Sequence, residues 1–318
     1  MLHVDQSTRT HAARGALLGA ACGDAVGAPF EGSRAVSRML AENWMTSARA
    51  MRYTDDTAMT LVVARHLLAT AGTIDEDRLA RDFAEEWQAE PDRGYGSAPP
   101  RIFRAVLSGD DWTTVTRTAF GQTGSWGNGG AMRVAPVALL PHPVTERVRL
   151  ARRQAAVTHA HPLAQDGAAV QCAAIAQAAT TAGEDIDAAE FCAVLGQHVS
   201  TPEFRDALAG IRDLARTGSA PREIAARLGA DITALGSVPT AVALFLSSPD
   251  DLEAALISAV LAGGDTDTIA SMTGAITGAR TGQAGLPSRL ISRLENAEQI
   301  LDLADDLAAR STSGRLRD

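Results

Sequence analysis

The sequence predicts an all-α fold, a single compact helical domain over residues 1–310 followed by a disordered tail at 311–318. Three observations predict it. Apolar residues recur every three or four positions in run after run, the spacing that gathers them on one face of a helix. No run alternates with the period of two that a half-buried strand requires. Aromatic residues make up only 4% of a chain that is 46% apolar, so the core must be built from Ala, Leu, Val and Ile, which lets helices lie close together.

The elements follow in order. Gly15, Gly19, Gly23 and Gly27 form a ridge at four-residue spacing along an N-terminal helix. Helical periodicity then runs through 57–71, 76–89, 144–157, 163–180, 188–199, 203–215, 237–246, 252–261, 268–279 and 288–309. Gly72 stops the first of these runs, Pro221 opens a short helix and Pro287 precedes the last run. A second ridge, Gly274, Gly278 and Gly282, lies near the C-terminus. Glycine inside a helix costs up to about 1 kcal/mol relative to alanine. Seven of them in two stripes therefore need a compensating role, which we expect to be close backbone approach, each stripe to the other included, holding the chain's two ends together.

Composition excludes several functions. All 29 basic residues are Arg, so neither a Schiff-base lysine nor a P-loop lysine is possible. A net charge of −9 with few aromatics lacks the electrostatic footprint of a nucleic-acid binder, so no direct nucleic-acid binding is expected. Cys22, Cys172 and Cys192 are odd in number and widely spaced, and read as small buried apolar residues rather than a disulfide or zinc framework. No apolar run reaches membrane-spanning length and the N-terminus has no signal-like apolar stretch, so no membrane partner and a cytoplasmic location are expected.

Three connecting segments, 94–100, 121–130 and 263–267, are too rich in Gly, Asp and Pro for ordinary links and are the expected carriers of function. Thr54-Asp55-Asp56-Thr57 and Asp265-Thr266-Asp267-Thr268 each open a helix with carboxylates and hydroxyls, the oxygen donors that hard divalent cations take. Asp and Thr are also ordinary helix caps. Two such clusters about 210 residues apart, together able to balance two Mg2+ ions, are harder to explain as capping. Glu31 sits in a loop bracketed by Pro29 and Gly32, where a carboxylate beside an activated water would be a general base free to move aside for substrate. Asp24, between ridge glycines, is the expected buried support of the ligands. The run Gly124-Ser125-Trp126-Gly127-Asn128-Gly129-Gly130 leads into the helix-like Ala131-Met132-Arg133-Val134-Ala135 and offers backbone N–H groups to an anion. Phe120 and Trp126 flank it as stacking faces for a base. His159 reads as a substrate or supporting contact, and His161 is left unassigned.

These motifs resemble the ADP-ribosylhydrolase family, which includes the dinitrogenase-reductase-activating glycohydrolases. The resemblance covers Gly15-Ala16-Leu17-Leu18-Gly19, Gly23-Asp24, Phe30-Glu31, Thr54 to Thr57, Gly124 to Val134, Thr158-His159 and Gly263 to Ala270. Arg93-Gly94-Tyr95-Gly96, the run Gly124 to Ala135 and Ser237-Val238-Pro239-Thr240-Ala241 look most similar to the branch that cleaves serine-linked ADP-ribose, poly(ADP-ribose) and O-acetyl-ADP-ribose. The resemblance implies a compact helical fold with a binuclear centre of two Mg2+, with Mn2+ an alternative. It implies Thr54, Asp55, Asp56, Asp265, Asp267 and Thr268 as ligands and Glu31 as the mobile catalytic carboxylate. It further implies Gly94, Gly96 and His159 as substrate contacts, Gly124, Ser125, Gly127 and Asn128 as diphosphate-loop residues, and Phe120 and Trp126 as the adenine platform. Trp126 stands where the branch usually has tyrosine, keeping a ring face and losing a hydroxyl.

The expected reaction is hydrolysis at the anomeric carbon of the distal ribose, releasing ADP-ribose from a protein or a small molecule. An anionic pocket would stabilise the oxocarbenium character of that transition state. An arginine-directed hydrolase and a non-catalytic ADP-ribose-binding module are the alternatives. Intact Glu31 and a full ligand set weigh against the second.

Overall fold

The computed structural model describes residues 6–310, so the tail expected at 311–318 lies outside the described residues. Eighteen α-helices follow one another through them. Among the described residues the β-type pairings are two isolated bridges, Met51 with Leu294 and Gly127 with Thr233. The all-α expectation holds. Asp55–Ala69, Glu76–Ala89, Val144–Ala156, Pro162–Ala178, Ala188–Gly196, Pro202–Thr217, Ala234–Ser247, Leu252–Ala262 and Thr266–Thr281 fall within a few residues of the periodic runs, and Pro221–Leu228 is the short helix that Pro221 opens.

The two glycine stripes meet. A Cβ on Gly15, Gly19, Gly23 or Gly27 would overlap the backbone of Gly278, Gly274, Ala270 or Thr266 in turn, each well inside 3.0 Å. Reciprocally, a Cβ on Gly274 or Gly278 would strike the carbonyls of Gly19 or Gly15. Helices Gln6–Gly27 and Thr266–Thr281 therefore run side by side at backbone contact, and the first and last thirds of the chain form one core. Gly282 departs from this pattern. Its φ of 64° ends the helix, and its missing Cβ makes room for the His11 ring.

The run 288–309 is not one helix. It divides into Ser288–Ile291 and Ala297–Ala309, because the intervening backbone pairs with Met51: Met51 N–H donates to Arg293 O at 2.8 Å and Glu295 N–H to Met51 O at 3.0 Å. Asn296 turns the chain back into helix with a left-handed φ of 55°. The stretch 131–135 likewise forms two single turns, Gly129–Met132 and Ala135–Ala138, rather than a continuous helix. Arg38–Thr46, Pro99–Leu107 and Trp112–Gln122 are helices that periodicity does not reveal. They are short and open on Ser37, on Pro99 and on Asp111. All three cysteines are buried and unpaired, as expected. Among the described residues no helix is long and apolar enough to cross a membrane.

Candidate metal centre and its rim

The packed glycine helices deliver the first half of the site. Helix Thr266–Thr281 begins where Gly27 ends its partner, so close that a Cβ on Gly27 would lie 2.5 Å from Asp267 Cα, and Thr266 Oγ1 donates to Gly27 O at 2.9 Å. Before it, Gly264 takes a φ of 76° that L-residues rarely adopt and sits against Ala230, where any side chain would clash. Asp265, Asp267 and Thr268 are thereby buried at the first turn of a buried helix.

The second half comes from helix Asp55–Ala69. Thr54 caps it, its Oγ1 accepting from Asp56 N–H at 3.3 Å. Asp24, fully buried, accepts from the N–H of Thr54, from the N–H of Thr57 and from Thr57 Oγ1 at 2.6 Å. That is the supporting role expected of it. On the other side Asp55 N–H donates to Arg93 O at 2.8 Å. Arg93 is itself buried, stacked 4.4 Å from the Tyr53 ring centroid and ion-paired to Glu90 and Glu295.

The two clusters converge: Thr268 Oγ1 lies 3.5 Å from Asp56 Oδ1. Glu31, Asp265 and Asp267 each bring a carboxylate oxygen within 4.8 Å of the others. Buried Asp56 Oδ2 and Asp267 Oδ1 have no protein partner, although buried polar atoms are normally paired. Burial and mutual repulsion push Asp55 up to about 8, push Asp24 and Asp267 up to about 7, and raise Asp56 and Asp265 as well. Concentrated buried carboxylates with orphaned oxygens are the donor set a hard divalent cation satisfies, so these residues fit a metal centre. Glu31, exposed at its edge, is raised by partial burial and then by Asp267. The backbone after it is pinned, since Gly32 N–H donates to Gly264 O at 2.8 Å and Gly264 N–H to Ser33 O at 3.0 Å.

The glycine-rich loop borders this centre. The Asn128 side-chain amide donates to Asp265 Oδ2 at 2.6 Å. Gly127 and Gly129 lie over the His159 ring, so close that a Cβ on Gly129 would touch its Cε1 at 2.5 Å. His159 is held below the loop by Thr158 Oγ1 at 2.7 Å from Nδ1, and burial followed by nearby Arg133 pushes it down to about 3. It is therefore a neutral support at neutral pH. Ser125 Oγ accepts from Gly127 N–H at 3.2 Å, and Gly124 turns the chain against Ala160. Outside the loop Phe120 and Trp126 stand 5.3 Å apart and tilted, 49% and 39% exposed. Phe120 is thus not a core residue. Gly94 lies 3.8 Å from Asp55 Oδ1, measured from the position a Cβ would take, and Gly96 faces open space. His161 caps helix Pro162–Ala178, its Nδ1 accepting from Leu163 N–H at 3.1 Å.

Three features escaped the sequence reading. Arg93 with Glu295 braces the Thr54–Thr57 cluster from behind. Buried Arg133 donates to Gln154 and to Thr158 Oγ1 and so fixes His159. The signal that could have found it is a lone charge inside the otherwise apolar run 131–135. Ile232, 69% exposed, sits on a segment tied to both the glycine-rich loop and the Asp265 cluster, its carbonyl accepting from Asn128 N–H while Ala230 O accepts from Asp265 N–H.

Residues 5–316 match the family model described as ADP-ribosylglycohydrolase. The chain is 34% identical to ADP-ribosylhydrolase ARH3 of Gallus gallus, and 33% identical to that of Homo sapiens, in each case over 92% of this chain and 92% of the relative. An uncharacterized protein of Escherichia coli, YegU, is 31% identical over 92% of this chain and 94% of its own length. Among solved structures, an ADP-ribosylglycohydrolase-related protein complex superposes with a TM-score of 0.73 at 25% identity, covering 95% of this chain and 98% of the other.

Proposed function

The chain belongs to the ADP-ribosylglycohydrolase family, and from that premise we propose that it is a magnesium-dependent ADP-ribosylhydrolase of the ARH3-like branch. It releases ADP-ribose from serine-linked protein, and poly(ADP-ribose) and O-acetyl-ADP-ribose are further substrates. The observation that carries this reading is the convergence of Asp56 and Thr268 from opposite ends of the chain, with two buried carboxylate oxygens left unpartnered.

Thr54, Asp55, Asp56, Asp265, Asp267 and Thr268 would hold two Mg2+ or Mn2+ ions, which supply Lewis acidity toward the ribose hydroxyls and water. The chain's own residues do the rest. The carboxylate wall opposes the positive charge that develops on the ribose as the anomeric bond lengthens, and the burial of Asp56, Asp265 and Asp267 strengthens that opposition. Glu31, at the wall's open edge and with a raised pKa, handles the proton exchanged between water and leaving group. Ser125 and Gly127 line the diphosphate path above His159, while Gly94 and Gly96 leave a floor free of side chains. Phe120 and Trp126 offer ring faces to adenine.

Stripping divalent ions with a chelator should abolish hydrolysis of a serine-ADP-ribosylated peptide and lower the melting temperature, because an ion at about 100 times its Kd contributes roughly 2.7 kcal/mol. Readdition of Mg2+ should restore both; full activity in excess chelator contradicts the reading. Glu31→Gln should still bind ADP-ribose while turnover falls by about a hundredfold or more, and wild-type turnover from that variant removes Glu31 from the chemistry. Parallel assays on serine-, arginine- and O-acetyl-linked substrates decide the linkage.

A further inference from the structure

Asn128 lies in the loop that the sequence assigns to the diphosphate, yet its hydrogen bonds run the other way. A side-chain amide carries two N–H hydrogens. One goes to Asp265 Oδ2 at 2.6 Å and the other to Ser237 Oγ at 3.1 Å. The orientation is fixed by its neighbours. A carboxylate only accepts, and the Ser237 hydroxyl gives its own hydrogen to Thr233 O at 2.8 Å, which leaves its oxygen to receive the amide. The backbone N–H of Asn128 is committed too, to Ile232 O at 3.0 Å. With the residue 7% exposed, no N–H of Asn128 is left for a phosphate oxygen.

Asp265, for its part, makes no side-chain bond to the amides of the helix it opens. Its rotamer is not set by capping, in contrast to Thr54 at the other cluster. We propose that Asn128 is a positioning residue of the metal centre: together with Ser237 it aims the Asp265 carboxylate, and it contributes no direct bond to the diphosphate. This rests on the metal reading above. It also ties the glycine-rich loop to the ion site through one amide, so that the loop's position and the ligand's position are not independent.

The test is calorimetric titration of Mg2+ into the metal-free full-length protein without nucleotide, paired with steady-state kinetics on a serine-ADP-ribosylated peptide. Wild type should bind Mg2+. Asn128→Ala should bind it about tenfold more weakly, the effect of losing a partner that orients a ligand. At saturating Mg2+ its KM for the peptide should stay within about twofold of wild type, because no substrate bond has been removed. Unchanged Mg2+ affinity with a raised KM would overturn the proposal and make Asn128 a phosphate donor. Ser237→Ala guards against a folding defect in the first variant. It leaves the amide in place with one anchor fewer and should weaken Mg2+ binding by about threefold, with KM again unmoved; wild-type affinity there overturns the proposal as well. A wild-type protein that takes up no Mg2+ sinks the metal reading and this inference with it, whereas binding by wild type and both variants alike sinks only the inference.

Discussion

Asp56, Asp265 and Asp267 are at most 6% exposed, while Phe120 and Trp126, on the outer side of the loop that touches Asp265, are 49% and 39% exposed. The buried wall is positioned by backbone. Asp24 holds the amides of Thr54 and Thr57, Arg93 O holds the amide of Asp55, and glycine contacts fix where helix Thr266–Thr281 starts. The rim is framed only in part: Trp126 O accepts from Ala234 N–H at 3.0 Å, while Phe120, Gly121 and Gln122 form an exposed turn in left-handed backbone, with φ of 51°, 70° and 71°. The difference is the one that the proposed roles require. Charge stabilisation needs a dry, fixed arrangement, because repulsion among carboxylates scatters anything loosely held. Ring stacking tolerates displacement, and its ligand has to enter from water.

The most severe way to break this contrast is to intrude on the backbone contact behind the wall. In Gly23→Ala the new methyl would lie 2.5 Å from Ala270 C and 2.8 Å from Ser271 N, with the Ala270 carbonyl oxygen closer still. None of these atoms can swing aside, so the two helices must separate. Helix propensity favours the alanine by about 1 kcal/mol, yet we expect a net loss of roughly 3 kcal/mol, at the upper end for overpacking, read as a melting temperature lower by about 4 °C. Gly96→Ala is the matched control on the rim side. Nothing lies within 4 Å of the position its Cβ would take, so stability should change by less than about 0.5 kcal/mol. Equal melting temperatures for the two variants would show that the glycine stripes do not set the wall.

The same contrast explains what the sequence made legible. Each half of the acid wall is four contiguous residues at a helix start, and the glycine stripes repeat at fixed spacing, so both read directly from the chain. The braces do not. Arg93 with Glu295 is a contact 202 positions apart, and Asn128 with Asp265 spans 137; each residue alone looks like ordinary surface or loop. Apolar periodicity continues through 288–309 and conceals the break at 292–296, because the cause of that break is a backbone pairing with Met51 far away in sequence. Asn128 shows the limit most clearly. Its place in a glycine-rich run points to phosphate, whereas its hydrogen bonds point to a carboxylate that no local pattern connects to it.

A small effect on stability, with the sharpest effect on the rim, is expected of Phe120→Gly. The native φ of 51° and ψ of 49° costs a non-glycine residue about 1 kcal/mol or more, and glycine removes that cost while adding freedom to the unfolded chain. These terms nearly cancel, and the ring is half exposed, so the melting temperature should stay within about 2 °C of wild type. Loss of one stacking face should nonetheless raise KM for an ADP-ribosylated peptide by about tenfold, since aromatic stacking on a base is worth roughly 1–3 kcal/mol. Melting several degrees lower would make Phe120 a packing residue and erase the distinction between rim and wall. An unchanged KM would show that the left-handed turn at 120–122 does not present the ring to substrate, and Trp126 would then be the adenine face.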